Sequence, residues 1–295
     1  MKIGIIPNTS KKNIIAVVEL LIKKLNGRNF TPFFSKSFYE LVKENSLFNK
    51  FEFFEGKDLF ANTDLIVSIG GDGTMLTSGF EGREFSTPML GINFGKLGFL
   101  AEYEINNLDK LIDELEKGEY TIEERLTLCG KCIDECNNTL FAVNDIVIDK
   151  GHWPKMIEIE LKIDDKYVST FSADGIIVAT PTGTTGYSLS VGGPIVNPAA
   201  KAITLSPISP HTLTMRPLVI GNEQTISVLI KSEHEKIHVS CDGQRTYHYY
   251  SPKEFLIYTS KNPLRLLHTK STSYFDILRK KLYWGIDVRK NGYEG

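Results

Sequence analysis

Gly70-Gly71-Asp72-Gly73-Thr74 sets one carboxylate among three residues that have no Cβ atom. Glycines let a phosphate approach backbone N–H groups, and a helix that begins at such a loop adds a favourable dipole. A carboxylate inside an anion cradle repels phosphate unless it holds a metal ion or takes a proton, and both roles occur in phosphoryl transfer. With an ordinary pKa near ~3.9, Asp72 is a weak base toward an alcohol. It would act by orienting a hydroxyl and collecting its proton as the P–O bond forms, while alignment and charge neutralisation supply most of the acceleration. The alternative is a tight strand-to-helix turn with Asp72 as an N-cap. Five such residues directly after an apolar run favour the chemistry.

Two further clusters carry complementary groups. Asn144-Asp145 interrupts the apolar stretch 141–148, where an amide and a carboxylate could grip ribose hydroxyls or an adenine edge. The competing reading is an Asx turn between strands. Segment 174–188 opens from Asp174-Gly175 through an apolar run into Thr180-Pro181-Thr182-Gly183-Thr184-Thr185-Gly186-Tyr187-Ser188. Its hydroxyls can bond a base and ribose while Tyr187 packs on a ring; a capped turn into a short helix, ended by Gly192-Gly193-Pro194, is compatible with that role.

Other signatures are missing or weak. There is no Gly-x4-Gly-Lys-Ser/Thr loop and no protein-kinase set, and Leu76 stands where the last glycine of Gly-x-Gly-x-x-Gly belongs. Cys129, Cys132 and Cys136 have metal-like spacing, but Cys241 is the only other cysteine and lies far away in sequence; all four are read as thiols, with no metal site. His211 and His238 read as structural, and Arg279-Lys280-Lys281 as a solvated helix face.

The elements that must position these groups change character along the chain. A strand at 2–6 is followed by Ile14, Val17, Leu21 and Leu25 at helical spacing, a βα unit. Further buried strands are expected at 65–69 and 88–92, and an amphipathic helix through Leu108, Leu111, Ile112 and Leu115. This predicts an α/β domain, residues 1–123, with an open, mostly parallel, doubly wound sheet carrying the glycine loop. From about Glu123 strands dominate: 156–163 alternates strictly, Asp164-Asp165 supplies a turn, and 167–171 returns. Strand-like runs at 176–179, 225–230, 236–240, 255–258 and 264–267 extend a mostly β, sandwich-like domain over 124–270. Helical spacing resumes in 273–282, so 271–295 is expected to return to the first domain. With no flexible linker, the two domains are expected to dock closely and bind ligand in the cleft between them.

Composition narrows the class. A net charge of −2, with acids and bases interspersed, argues against a broad footprint for nucleic acid or anionic lipid, so any anion is bound locally. Pro7-Asn8-Thr9-Ser10 ends the first apolar run before a signal core could form, and no stretch is long enough to span a bilayer. A soluble, cytoplasmic protein is expected.

The three clusters together resemble the NAD kinase family, ATP-dependent 2′-kinases of NAD, in which a Gly-Gly-Asp-Gly-Thr loop, an Asn-acid pair and a Thr-Pro-Thr-Gly-x-Thr-x-Tyr-Ser loop occur in this order. The likeness runs on through Gly91-Ile92-Asn93-Phe94-Gly95-Lys96-Leu97-Gly98-Phe99-Leu100, Pro210-His211-Thr212-Leu213, Arg216-Pro217-Leu218, Asp242-Gly243-Gln244 and Lys281-Leu282-Tyr283-Trp284-Gly285. The resemblance implies that Asp72 accepts the proton of the adenosine-ribose 2′-hydroxyl, and that Gly70, Gly71, Gly73 and Thr74 form the phosphate loop. It puts Gly73, Asn144, Asp145, Asp174, Thr185, Gly186, Tyr187, Ser188, Leu189, Ser190 and Gln244 on the dinucleotide, with Lys155 and Ser172 at neighbouring positions. Asp145 stands where the family usually has glutamate, shortening the reach, and Ser172 where some members have arginine. The implied substrates are NAD and ATP with a divalent cation, Mg²⁺, carried by the triphosphate; the implied assembly is a homodimer or tetramer. Diacylglycerol kinases and phosphofructokinases carry related Gly-Gly-Asp-Gly loops, so a lipid or sugar kinase is the competing enzyme, and a non-catalytic NAD(P) sensor the competing binder.

Overall fold

A computed structural model of the chain describes residues 1–95, 97–234, 236–270 and 273–285, with 136–138 traced by backbone alone. Lys96, the Cys136 side chain and the terminal stretch 286–295, all named above, lie outside the described residues. The chain divides into two compact units, 1–123 with 265–295, and 124–264.

The first unit runs β1 (Lys2–Pro7), α1 (Ile14–Leu25), β2 (Thr31–Ser35), α2 (Lys36–Val42), β3 (Phe53–Phe54), α3 (Gly56–Ala61), β4 (Leu65–Gly70), α4 (Asp72–Glu81), β5 (Met89–Asn93), β6 (Tyr103–Glu104), α5 (Leu108–Glu116) and β7 (Tyr120–Arg125). β1 pairs in parallel with β2 and β4, and β4 with β5, giving the order β3-β2-β1-β4-β5. Parallel strands covered by helices are buried on both faces, which is why β1 and β4 read as unbroken apolar runs rather than alternating ones. α1 buries Ile14, Val17, Val18, Leu21, Ile22 and Leu25, one stripe of a 3.6-residue period. α5 likewise buries Leu108, Leu111, Ile112 and Leu115. The doubly wound parallel sheet read from the sequence is the one observed.

The second unit contains β8 (Leu128–Cys132), β9 (Glu135–Ala142), β10 (Asp145–Asp149), β11 (Ile157–Ile163), β12 (Lys166–Ala173), β13 (Gly175–Ala179), the short α6 (Tyr187–Ser190), β14 (Ala202–Ile208), β15 (Leu218–Gly221), β16 (Ile226–Lys231), β17 (Lys236–Cys241), β18 (Arg245–Tyr250) and β19 (Lys253–Thr259). They form two antiparallel sheets, β15-β14-β13-β10-β17-β18 and β12-β11-β16-β19-β8-β9. Inward residues of both sheets, among them Ile146, Ile148, Ile159, Val178, Val228 and Val239, make one apolar core. The predicted hairpin is β11 and β12, turned by Asp164 and Asp165 at φ 49° and 62°, values that short polar side chains tolerate.

β20 (Leu264–Thr269) falls elsewhere than the sequence reading has it. It joins the parallel sheet of the first unit beside β5, Leu266 opposite Met89, instead of extending the second unit. An apolar run shows that a strand is buried but not which sheet buries it. α7 (Tyr274–Leu282) follows and belongs to the first unit.

Candidate functional site

The strand order of the first sheet reverses between β1 and β4, and the glycine loop leaves the carboxyl end of β4 at that point, where open α/β sheets bind ligands. Asn8, just past β1, donates its backbone N–H to the Ile69 carbonyl (2.8 Å) and its amide to Thr74 Oγ1 (3.0 Å), so the two strand ends are tied together. Gly71 is the N-cap of α4 and Asp72 its first residue, which sets aside the N-cap reading of the carboxylate. Gly71 has an ordinary extended backbone and open space where a Cβ would stand. Its lack of a side chain leaves the loop open to a ligand rather than relieving a clash.

The Asp72 carboxylate turns toward the loop after β5. Oδ2 accepts from the Phe99 N–H (2.9 Å), and Oδ1 from the N–H groups of Leu100 (2.9 Å) and Ala101 (3.0 Å). Lys281 of α7 donates to Oδ2 at 3.0 Å and lies over the Phe99 ring. Gly98 packs so tightly on the carboxylate that a Cβ there would collide with Oδ1. Burial pushes the Asp72 carboxyl up, but the N–H groups of Ala101, Leu100 and Phe99 together with the Lys281 ammonium outweigh it and hold the group below the usual carboxylate range. Lys281 is therefore not simply part of a solvated face, as its helix position suggests.

In the second unit Asn144 and Asp145 sit at the start of β10, which runs antiparallel to β13 and β17, so the ends of those two strands arrive beside them. After β17 the chain turns through Asp242 and Gly243 at φ 56° and 64°. That turn aims the buried Asp242 carboxylate back at the N–H groups of Asn144 (2.7 Å), Val143 (3.2 Å) and Asp145 (3.3 Å), with Arg245 at 2.7 Å. From the end of β13, Thr180 Oγ1 donates to the Val143 carbonyl (2.7 Å), and Gly183 lies against the Asn144 backbone, where no side chain fits. Ser188 pairs with Ser206 at 2.9 Å and anchors the loop; Tyr187 and Ser190 are exposed.

Burial raises the Asp145 carboxyl to about 7, with the Asp242 charge adding to the shift. Asn144 Oδ1 and Thr182 Oγ1 are buried with no partner among the described residues. Such groups are rare unless a ligand or water completes them.

Not all expected site residues assemble. Asn144, Asp145, the loop through Thr185, Gly186, Tyr187, Ser188, Leu189 and Ser190, and exposed Gln244 share one end of the sheet. Asp174, just before β13, lies at the other end of β10 and β13, roughly 13 Å away at ~3.3 Å per residue, and Ser172 is on β12 of the other sheet, opposite Glu158. There Asp174 pairs with Lys150 at 2.7 Å, and exposed Lys155 pairs with Glu233 at 2.5 Å. Asp242 and Lys281 had no assigned role at the sequence level. An Asp-Gly turn beside Gln244 was the one available sign of the first; the second stands in the family-like run 281–285, which does not name its partner. The free thiols Cys129 and Cys132 are on β8, whereas Cys241 is on β17 of the other sheet, where burial pushes it up to about 12.

An open parallel sheet with an acidic glycine loop, joined in one chain to an antiparallel sandwich with an Asn-Asp turn, defines a nucleotide-dependent phosphotransferase. Residues 3–120 match the family model of the ATP-NAD kinase N-terminal domain and 143–269 that of the C-terminal domain. The chain is 35% identical over 286 residues to an NAD kinase of Thermoanaerobacter sp. (strain X514), covering 95% of this chain and 98% of that one. It is 40% identical over 231 residues to an NAD kinase of Thiobacillus denitrificans, covering 77% and 79%. Among solved structures, an NAD kinase from Archaeoglobus fulgidus in complex with ATP superposes with a TM-score of 0.75 at 26% identity, covering 96% of this chain and 99% of that one. Yeast NADH kinase complexed with NADH shares the fold at a TM-score of 0.89 and 23% identity, over 97% and 88%. The chain belongs to the NAD kinase family, and it is an enzyme of the phosphotransferase class.

Proposed function

We propose that the chain transfers the γ-phosphoryl of ATP to the 2′-hydroxyl of the adenosine ribose of NAD, with Asp72 receiving the hydroxyl proton. The observation that carries this reading is the partly buried Asp72 carboxylate at the switch point of the parallel sheet, on the first turn of α4. The ribose oxygen forms a bond to the γ-phosphorus as the bond from that phosphorus to the β,γ-bridging oxygen breaks. The hydroxyl proton passes to Asp72 and then to water, and ADP leaves with the bonding pair. Gly70, Gly71, Gly73 and Thr74 present the N-terminus of α4 to the phosphates, the Gly71 and Thr74 N–H groups bonding within the cap at Thr74 Oγ1 and the Gly71 carbonyl.

The archaeal relative's complex with ATP supports a triphosphate donor. The divalent cation, Mg²⁺ in this reading, arrives on that triphosphate as part of the substrate and neutralises its charge. Asn144, Asp145, Thr185, Gly186, Tyr187, Ser188, Leu189, Ser190 and Gln244 receive the dinucleotide, a role supported by the unpartnered Asn144 and Thr182 oxygens. A carboxyl near 7 lets Asp145 donate to a ribose oxygen as well as accept from one. Asp174 enters only through a ligand long enough to run along β10, which a dinucleotide is; Ser172 and Lys155 belong to the same reading through the family resemblance alone. A cytoplasmic homodimer or tetramer belongs to the same reading, supported by the family resemblance and checked by light scattering.

The test is purified protein with Mg-ATP and, in separate reactions, NAD, diacylglycerol or fructose 6-phosphate, following ADP and NADP. NADP should form from NAD alone, and Asp72→Asn should lower kcat by about 10²–10⁴-fold, the usual worth of a positioned base. An unchanged rate in that variant, or phosphorylation of the lipid or sugar instead, defeats the reading.

A further inference from the structure

A carboxylate offers about four acceptor positions, two on each oxygen. At Asp72 all four are taken: Oδ1 by the N–H groups of Leu100 and Ala101, Oδ2 by the Phe99 N–H and the Lys281 ammonium. A hydroxyl that is to hand its proton to this carboxylate needs one donor to leave. Three of them belong to the backbone of a buried loop, Phe99 at 6%, Leu100 at 3% and Ala101 at 0% exposure, braced by Gly98. The fourth is a flexible side chain that is one-third exposed.

Among the described residues, the helix that carries Lys281 buries two side chains, Ile277 and Leu278, and sets the Tyr274 ring 6.3 Å from that of Phe99, while Phe275, Tyr283 and Trp284 are exposed. A cavity of about 340 Å³ lies along it, bounded by Asp276, Ile277 and Lys280 of the helix and by Tyr103, Asn107 and Lys110. Sparse apolar contact over a void is the mark of an element that shifts at low cost. A triphosphate arriving at the glycine loop supplies the alternative partner: an ammonium is a mobile point charge that phosphate oxygens compete for.

Resting on the phosphoryl-transfer reading above, we propose that Lys281 is a positioning residue for Asp72 that moves from the carboxylate to the phosphates of ATP when the donor binds. Its departure opens one lone pair on Oδ2 for the substrate hydroxyl and removes the cation that keeps Asp72 a poor base. Donor binding thereby readies the acceptor side, and without donor the carboxylate stays closed. Among the described residues, Lys281 is the one titratable group whose charge acts on it.

Trp284, two residues beyond α7, reports the movement once the other tryptophan is removed by Trp153→Phe. Titrating that protein with ATP should change Trp284 emission to saturation. With Lys281→Met added, the emission should be altered before ATP and respond no further. In steady-state kinetics Lys281→Met should raise KM for ATP by about tenfold, one charge-assisted contact, leave KM for NAD unmoved, and be partly rescued by Lys281→Arg. ATP that binds by calorimetry without changing Trp284 overturns the proposal. So does a Lys281→Met protein whose only defects are a lower melting temperature and a lower kcat. Failure of the wild type to make NADP sinks the kinase reading instead, since the Trp284 response to ATP is read without turnover.

Discussion

Asp72 and Asp145 are both largely buried, yet their surroundings push them in opposite directions. Asp72 is met by three N–H groups and a lysine, which favour the anion; Asp145 faces burial and a second carboxylate, which disfavour it. For Asp145 the sign follows from linkage. A carboxyl that holds its proton more tightly in the fold than in the unfolded chain contributes stability that is complete below the unfolded pKa of ~3.9 and is lost as pH rises through about 7. Asp145→Asn keeps the shape without the charge. The wild-type melting temperature should therefore fall more between pH 5 and pH 8 than that of the variant; equal falls in the two proteins would show that the charge is not buried at a cost.

At the level of elements, two turns decide whether those carboxylates are in place. The loop before Phe99 needs glycine at 98 because the Asp72 carboxylate occupies the space of a Cβ. Gly98→Ala should push the N–H groups of 99–101 off the carboxylate, lower kcat by about tenfold or more and cost about 1–3 kcal/mol of stability, the usual range for overpacking. The turn after β17 carries Asp242, whose carboxylate takes three N–H groups of the Asn144 turn and the Arg245 side chain. Asp242→Ala leaves these donors buried and unmatched and should destabilise the fold by about 2–4 kcal/mol in chemical denaturation, with a raised KM for NAD. A loss below ~0.5 kcal/mol would mean that water replaces the carboxylate.

Across the whole molecule, each unit has its own apolar core. In the first, Phe34 is fully buried and touches Phe38, Phe48, Phe51 and Phe53 at ring separations of 5.3–5.9 Å. Phe34→Ala should cost about 3–5 kcal/mol, read by urea denaturation, because so many rings cannot close over the cavity. Periodicity was enough to place β1, α1, β4, α5 and the β11–β12 hairpin, since each is a local pattern of what is buried. The glycine loop and the Asn-Asp pair were legible for the same reason: their chemistry is written in neighbouring residues. Only the tertiary structure put β20 in the first sheet, set Asp174 at the opposite end of β10 from Asp145, and brought Asp242 to the Asn144 turn and Lys281 to Asp72. Those are contacts between residues far apart in the chain, and a sequence pattern records that a side chain is buried or charged without recording its partner. The opening loop by itself marked a phosphate-binding turn with an oddly placed carboxylate, while the fold alone decided that every lone pair on it is already engaged.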